Sequence, residues 1–196
     1  MQMNKMKNIL ETLKNYKDLP NQLSLFRIAV VPVILILYPF EYEALRLFCS
    51  FLFWLACMSD WLDGFLARRY KLESKVGAIL DPIADRLLTG AALILLVQAQ
   101  YLWAWMAGLL LSREIAVSGL RLVALQNGFN LPVEKMGKLK TMFQFFAFFC
   151  LLVKQPLFGW PFEEVGMISI WIAFFLSYYS FYQYTRSFLQ KFRELS

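Results

Sequence analysis

Long apolar runs separated by short polar turns dominate the pattern of hydrophobic positions along the chain. Six of these runs have close to the ~20 residues that an α-helix needs to cross the hydrocarbon core of a bilayer. They lie near residues 23–40, 45–66, 78–98, 101–125, 139–154 and 165–185. The pattern therefore predicts an all-α integral membrane protein, in which residues 19–196 form one membrane domain with six transmembrane helices.

The first 18 residues follow a different pattern. Met6, Leu10 and Leu13 recur at helical spacing and are surrounded by lysines. This arrangement is typical of an amphipathic helix that lies on an anionic membrane surface. Residues 1–18 are therefore predicted to form an interfacial helix, with a disordered tail as the alternative, and Pro20 separates this segment from the first apolar run.

Composition and charge placement support a membrane location. The chain is 59% hydrophobic and contains 19 phenylalanines, whereas a soluble domain is usually nearer half apolar. The net charge is +6, and the lysines and arginines concentrate at both chain ends and after the second and fourth runs. Because cytoplasmic loops carry the excess of lysine and arginine, both termini are predicted to face the cytoplasm. These charges border apolar spans, so membrane lipids are expected partners and nucleic acid is not.

The rarer residue types restrict the possible chemistry. The chain contains no histidine, which excludes histidine-based catalysis and histidine metal ligands. Its three cysteines lie inside apolar runs without zinc-like spacing, so they are assigned to packing. Any enzymatic reaction must therefore use carboxylates, lysine, tyrosine or hydroxyl groups.

Four of the five aspartates lie at the inner ends of the second and third runs: Asp60, Asp63, Asp81 and Asp85. A carboxylate at the bilayer centre costs about 2.5–3.5 kcal/mol, and less near the interface, so a cluster of four needs compensating cations. On helices, Asp60 and Asp63 share one face, and Asp81 and Asp85 share another. Because a short turn joins the two helices, the four carboxylates are predicted to converge on one point.

The predicted cluster suits divalent cations. Ligation by carboxylate oxygens alone favours Mg²⁺ or Mn²⁺, and a pair of such ions can clamp a diphosphate during displacement at phosphorus. Arg68 lies beside the acidic face and can add a bidentate contact to a phosphate oxygen. The small residues Gly64, Ala67 and Gly77 lie on the same faces, which leaves an open groove next to the acids.

The order of these residues resembles the complete signature of the CDP-alcohol phosphatidyltransferase family. It reads Asp60-x2-Asp63-Gly64-x2-Ala67-Arg68-x8-Gly77-x3-Asp81-x3-Asp85, and all eight specified positions match. Three further segments, over residues 20–27, 113–121 and 137–144, are similar to bacterial members of the family that use sn-glycerol 3-phosphate. The resemblance extends over roughly residues 19–145, and the family has six membrane helices, in agreement with the apolar runs.

The resemblance implies how a CDP-lipid would be used. CDP-diacylglycerol would place its head group over two metal ions, which are held by Asp60, Asp63, Asp81 and Asp85. Asp85 would also act as the general base on the acceptor hydroxyl, and CMP would leave. The residues implied in CDP-lipid binding are Asn21, Arg27, Asp60, Gly64, Ala67, Arg68 and Gly77. The family also implies a homodimer in the bacterial cytoplasmic membrane, with the active site on the cytoplasmic side.

Cations on the inner halves of the fourth and fifth runs indicate an acceptor that carries its own phosphate. They are Arg113, Arg121, Lys138 and Lys140. The matching segments favour sn-glycerol 3-phosphate as the acceptor and phosphatidylglycerol phosphate as the product, and Glu114 is expected to pair with an inner arginine and orient it. The alternative is that these cations only anchor the helices at the membrane surface.

Several alternatives remain open at this point. Within the same fold, the acceptor could be phosphatidylglycerol, serine or an inositol phosphate. An intramembrane prenyltransferase also holds diphosphate with aspartates, but its two acidic clusters lie far apart, whereas both halves here occur within 26 residues. A cation or proton transporter would carry acids along a path across the bilayer, not at one depth. Finally, the acids could form buried salt bridges with Arg68, Arg86 or Arg113.

Overall fold

The computed structural model describes residues 19–40, 42–70, 77–129, 131, 135–153 and 159–195. This part of the chain contains six α-helices, one 3-10 turn and no β-strand. The helices are α1 (Leu19–Leu37), α2 (Glu43–Tyr70), α3 (Gly77–Gln98), α4 (Ala104–Gln126), α5 (Lys135–Val153) and α6 (Phe162–Leu195). The predicted all-α architecture is confirmed, and the interfacial helix predicted for residues 1–18 lies outside the described residues.

Three of these helices are long and apolar enough to cross a membrane. The candidate spans are Asn21–Phe40, Met136–Val153 and Phe162–Glu194. The helices α2, α3 and α4 have 28, 22 and 23 residues, but charged residues interrupt their apolar sequences. Several of those interruptions are the acids and arginines proposed for the site. The described part of the chain is therefore that of a helical membrane protein, and the full count of six spans stays a prediction.

The described residues form two compact units that meet in sequence after Ala91. In the first unit, α1 packs against α2, and the 3-10 turn Tyr38–Phe40 contacts both helices. Val30 and Ile34 of α1 are buried, as is Phe53 of α2. The assignment of residues 19–196 to a single domain stays a prediction.

In the second unit, α6 packs along α5 and also contacts α4. Buried residues from all three helices form its core, which includes Leu110, Phe148, Leu151, Ile170 and Ala173. A separate apolar cluster forms near the end of α4, where Ala124, Leu131, Tyr184 and Phe188 are buried together. Many large apolar side chains on every helix remain exposed, as expected where lipid replaces water around the protein.

A close approach between α5 and α6 depends on Gly166. A Cβ atom at this position would lie 2.8 Å from Leu151 Cγ and 3.1 Å from Cys150 Cβ. Leu151 is fully buried, so its side chain has little space into which it could move. The glycine therefore allows the two helices to pack closely.

We expect the Gly166→Ala substitution to lower the thermal unfolding midpoint of the purified protein in detergent. Overpacking of this kind costs about 1–3 kcal/mol, and the better helix propensity of alanine offsets about 1 kcal/mol of that loss. Gly108→Ala in α4 is the matched control, because nothing lies within 4 Å of its added Cβ. It should unfold at or above the wild-type temperature. Equal midpoints for the two variants would contradict the close packing at Gly166.

Candidate active site

The first part of the predicted site lies near the start of α3. Gly77, Asp81 and Asp85 follow one another at intervals of four residues, so they share one face of the helix. Gly77 is buried, whereas Asp81 and Asp85 are each partly exposed. Pro82 lies inside the helix and lacks an N–H group, so this turn of α3 has one fewer backbone hydrogen bond.

Asp81 is tied to α1 by two donors on the same oxygen. Arg27 Nη2 donates to Asp81 Oδ1 at 3.1 Å, and Ser24 Oγ donates to the same atom. Arg27 Nη2 also donates to Ser24 Oγ at 3.4 Å. The spacing of Ser24 and Arg27 by three residues places both on one face of α1. Together they fix the orientation of the Asp81 carboxylate.

The Arg27–Asp81 pair is unevenly exposed. The Arg27 side chain is 0% exposed, whereas that of Asp81 is 42% exposed. A fully buried guanidinium is stable only when it is paired, so Asp81 provides the charge that keeps Arg27 inside. The sequence had suggested Arg68, Arg86 or Arg113 as structural partners of the acids. In the described part of the structure Asp81 pairs with Arg27, which the resemblance had implied in CDP-lipid binding.

The remaining aspartates of the predicted quartet belong to α2. Its backbone is helical through Tyr70, but the side chains of Asp60, Asp63 and Arg68 lie outside the described part of the structure, as do those of residues 64 and 67. Among the described residues, no group of three or more Asp, Glu, Cys or His side chains could hold a metal ion. The donors that are described, Asp81 and Asp85, are carboxylates, which is the ligand type that Mg²⁺ and Mn²⁺ prefer.

A second polar cluster joins α4, α5 and α6. Arg113 Nε donates to the carbonyl oxygen of Ser177 at 3.0 Å, and Arg113 Nη2 donates to Ser180 Oγ at 3.2 Å. Glu114 Oε2 lies 3.7 Å from Arg113 Nη1, which confirms that Glu114 pairs with an inner arginine. Glu114 Oε1 accepts a hydrogen bond from Lys140 Nζ. A single carboxylate therefore bridges two cations from different helices.

The four cations proposed for the acceptor phosphate divide into two pairs. The side chains of Arg113 and Lys140 are 6% and 5% exposed. Arg121 and Lys138 are exposed, as a cation that anchors a helix at the membrane surface would be. Anchoring does not explain the burial of Arg113 and Lys140, because a cation that only anchors a helix extends its charge toward water.

Sequence reasoning assigned no role to several residues that the structure brings into these clusters. They are Ser24, Gln144, Ser177 and Ser180. Gln144 Oε1 accepts from Lys140 Nζ at 3.2 Å, and the interval of four residues between them was a usable signal. The serines of α6 lie in an aromatic stretch with no neighbouring charge, and Ser24 meets Asp81 across 57 residues, so neither contact has a local sequence signal.

Comparison with known proteins agrees with the signature. The chain matches the CDP-alcohol phosphatidyltransferase family over residues 17–179. A relative from Bacillus subtilis (strain 168) is named CDP-diacylglycerol--glycerol-3-phosphate 3-phosphatidyltransferase. It is 39% identical over 182 residues, which cover 85% of this chain and 93% of the relative.

Relatives with the same name occur in other bacteria. One from Rickettsia typhi is 38% identical over 172 residues, with 87% of this chain and 97% of the relative covered. One from Pectobacterium atrosepticum is 34% identical over 172 residues, with 85% and 92% covered. The family is generally metal-dependent. By its full signature and by these likenesses, the chain belongs to the CDP-alcohol phosphatidyltransferase family.

Proposed function

We propose that this protein transfers the phosphatidyl group of CDP-diacylglycerol to sn-glycerol 3-phosphate, which gives phosphatidylglycerol phosphate and CMP. The observation that carries the proposal is the likeness, over most of the chain, to relatives whose name states this reaction. The geometry supports it in two places. Asp81 and Asp85 lie on one partly exposed face of α3, and α4 and α5 bury a pair of cations.

We propose that Asp60, Asp63, Asp81 and Asp85 hold two divalent cations, Mg²⁺ or Mn²⁺. The carboxylates of Asp81 and Asp85 suit such ions in donor type, and Asp81 is accessible enough to bind one. When bound, the ions supply charge stabilisation for the diphosphate and for the departing CMP. Arg27 and Ser24 hold one oxygen of Asp81 in place, and outer contacts of this kind orient metal ligands.

Asp85 is proposed as the general base. It would accept the proton of the acceptor hydroxyl while that hydroxyl oxygen attacks the phosphorus that bears the diacylglycerol. The bond from this phosphorus to the CMP oxygen breaks, and CMP leaves. Because Asp85 would also contact the ions, it would be a weak base, so positioning and charge stabilisation would supply most of the rate. Residues proposed to bind the CDP-lipid are Asn21, Arg27, Asp60, Gly64, Ala67, Arg68 and Gly77.

The acceptor phosphate is proposed to bind at Arg113 and Lys140, with Arg121 and Lys138 contributing from the surface. A phosphomonoester carries a charge of about −1.5 to −2 at neutral pH. Two buried cations with a single carboxylate between them leave an excess of positive charge that suits such a group. Serine carries no phosphate, and phosphatidylglycerol carries only a diester, so the cluster favours glycerol 3-phosphate over both.

The proposed setting is the bacterial cytoplasmic membrane, which the protein would cross six times as a homodimer. The bacterial relatives support the location, and the basic termini and inner loops support a cytoplasmic active site. The runner-up function is the same transfer to phosphatidylglycerol, serine or an inositol phosphate.

Turnover should depend on both metal and Asp81. We expect CMP release from CDP-diacylglycerol and glycerol 3-phosphate to fall to near zero with EDTA and in Asp81→Asn, because the diphosphate then lacks its counter-charge. Asp85→Asn should be no more damaging than Asp81→Asn. Glu163→Gln, which changes an exposed acid in the first turn of α6, should keep wild-type turnover. Unchanged CMP release in Asp81→Asn, measured on folded protein, would refute the metal-site assignment.

The acceptor can be identified by supplying CDP-diacylglycerol with one labelled alcohol at a time. We expect label from glycerol 3-phosphate to enter lipid, and little or no incorporation from phosphatidylglycerol, serine or an inositol phosphate. The excess of buried positive charge at Arg113 and Lys140 disfavours serine and phosphatidylglycerol, which carry no phosphomonoester, and the name of the relatives favours glycerol 3-phosphate over an inositol phosphate. Preferential labelling from serine would contradict the assignment. Ion transport without any CDP-lipid turnover would support the transporter alternative instead.

Ser24 offers a milder test of the metal site. Ser24→Ala removes one donor to Asp81 but leaves all charges in place. Loss of an outer contact typically weakens metal affinity about 10–100-fold, so the Mn²⁺ concentration needed for half-maximal CMP release should rise by at least the lower factor. Ser50→Ala is the matched control, because Ser50 is also buried but donates within its own helix, to the carbonyl of Arg46. A similar metal requirement in both variants would rule out orientation by Ser24.

A further inference from the structure

We infer that Glu114 is an internal counter-anion whose carboxylate occupies the position of the acceptor phosphate and is exchanged for that phosphate on binding. The inference rests on the proposed function and concerns how its acceptor site is regulated. It involves the cluster formed by Arg113, Glu114, Lys140, Gln144 and Ser180, which we term the cation cluster.

The geometry of the carboxylate resembles that of a bridging phosphate. Glu114 Oε1 bonds to Lys140 of α5, while Oε2 lies 3.7 Å from Arg113 of α4. Each anionic oxygen thus contacts a cation from a different helix. A phosphomonoester can face the same two cations with two of its oxygens. One contact would be a charge-assisted hydrogen bond like the one from Lys140, which is the strongest type, and the other an ion pair like the one with Arg113.

The cations have anchors that do not involve Glu114. Arg113 donates through Nε to the carbonyl oxygen of Ser177 and through Nη2 to Ser180 Oγ, whereas Nη1 is the nitrogen paired with Glu114. Lys140 donates to Gln144 Oε1. If the carboxylate rotates away, these contacts keep both charges where they are. The two cations are therefore pre-organised for a second anion.

The acidic side chain of the cation cluster is more exposed than the two basic side chains. The Glu114 side chain is 22% exposed, compared with 6% for Arg113 and 5% for Lys140. The carboxylate accordingly lies on the accessible side of the cluster, where an incoming anion would arrive. Because the carboxylate is already the most exposed of the three charged groups, it can leave the cluster with a smaller movement than either buried cation.

The cluster also contains a donor that Glu114 leaves unused. Gln144 is 2% exposed, and its Nε2 has no hydrogen-bond partner within the described part of the chain. A buried amide N–H without a partner is unfavourable. A phosphomonoester has more acceptor oxygens than a carboxylate and about one more negative charge. It would accept from the extra donor and balance both positive charges, whereas the glutamate carries a single negative charge.

A purely structural role for Glu114 predicts the opposite behaviour. If the carboxylate only stabilises two buried cations, its loss should disturb their positions and weaken anion binding. If it competes with phosphate, its loss should strengthen anion binding. The sign of the effect therefore distinguishes the two roles.

The experiment measures the affinity for inorganic phosphate, together with KM and kcat for glycerol 3-phosphate, using the full-length protein in detergent. For Glu114→Gln we expect phosphate affinity about tenfold higher, the scale of one charge-assisted hydrogen bond, with KM lowered by a similar factor and kcat little changed. For Gln144→Glu, which retains Glu114 and adds a second carboxylate, we expect both affinities to fall. The matched control is Glu164→Gln, an exposed acid in the first turn of α6, which should change neither.

The two variants keep the inference testable separately from the proposed function. Weaker phosphate binding and a higher KM in Glu114→Gln would overturn the exchange. If Glu114→Gln fails to fold, an unchanged phosphate affinity in Gln144→Glu would overturn it. Opposite shifts in phosphate affinity without turnover of glycerol 3-phosphate would uphold the exchange and refute the proposed acceptor. Normal turnover of glycerol 3-phosphate, with a phosphate affinity that neither variant changes, would uphold the proposed acceptor and overturn the exchange.

Discussion

The need to neutralise buried cations is the constraint on which the arrangement of these helices depends. Arg27, Arg113 and Lys140 are each at least nine-tenths buried, and an unpaired charge in such surroundings is strongly unfavourable. Asp81 meets this need for Arg27 and thereby joins α1 to α3. Glu114 meets it for the other two and joins α4 to α5. These ion pairs therefore add links within each unit to those made by the main helix contacts, which join α1 to α2 and α6 to α4 and α5.

The same constraint explains why the acids are accessible. In both clusters the cation is the inner partner and the carboxylate is the outer one, with 42% exposure for Asp81 and 22% for Glu114. Under the proposed function, each ligand meets a group that already has an internal partner. A divalent cation would bind Asp81 while Arg27 orients its carboxylate, whereas a phosphate would compete with Glu114 for its two cations. Affinity for the phosphate would then be a difference between two favourable interactions.

The parts of this structure that could be predicted are those with a local cause. The apolar runs predicted the positions of the helices. One exception is α6, which continues to Leu195, beyond the predicted end at 185. Phe188 and Phe192 extend it, because they keep a helical spacing among the cations and their rings stack. Helical spacing also gave the shared face of Asp81 and Asp85. The pairing of Ser24 with Asp81 was not predictable, since it joins residues 57 positions apart and depends on how α1 packs.

Among the described residues, hydropathy identifies three candidate membrane spans, whereas the sequence predicts six. The helices α2, α3 and α4 have 22 residues or more, and at 1.5 Å per residue that minimum is about 33 Å long, enough to cross a hydrocarbon core of about 30 Å. Charged residues interrupt the apolar sequence of each of these helices. Arg113 and Glu114 are paired with each other and with Lys140, so the helix carries much less uncompensated charge than its sequence indicates. Pairing of buried charges therefore makes the predicted six-span arrangement compatible with a sequence in which three of the described helices contain a long, strongly apolar stretch.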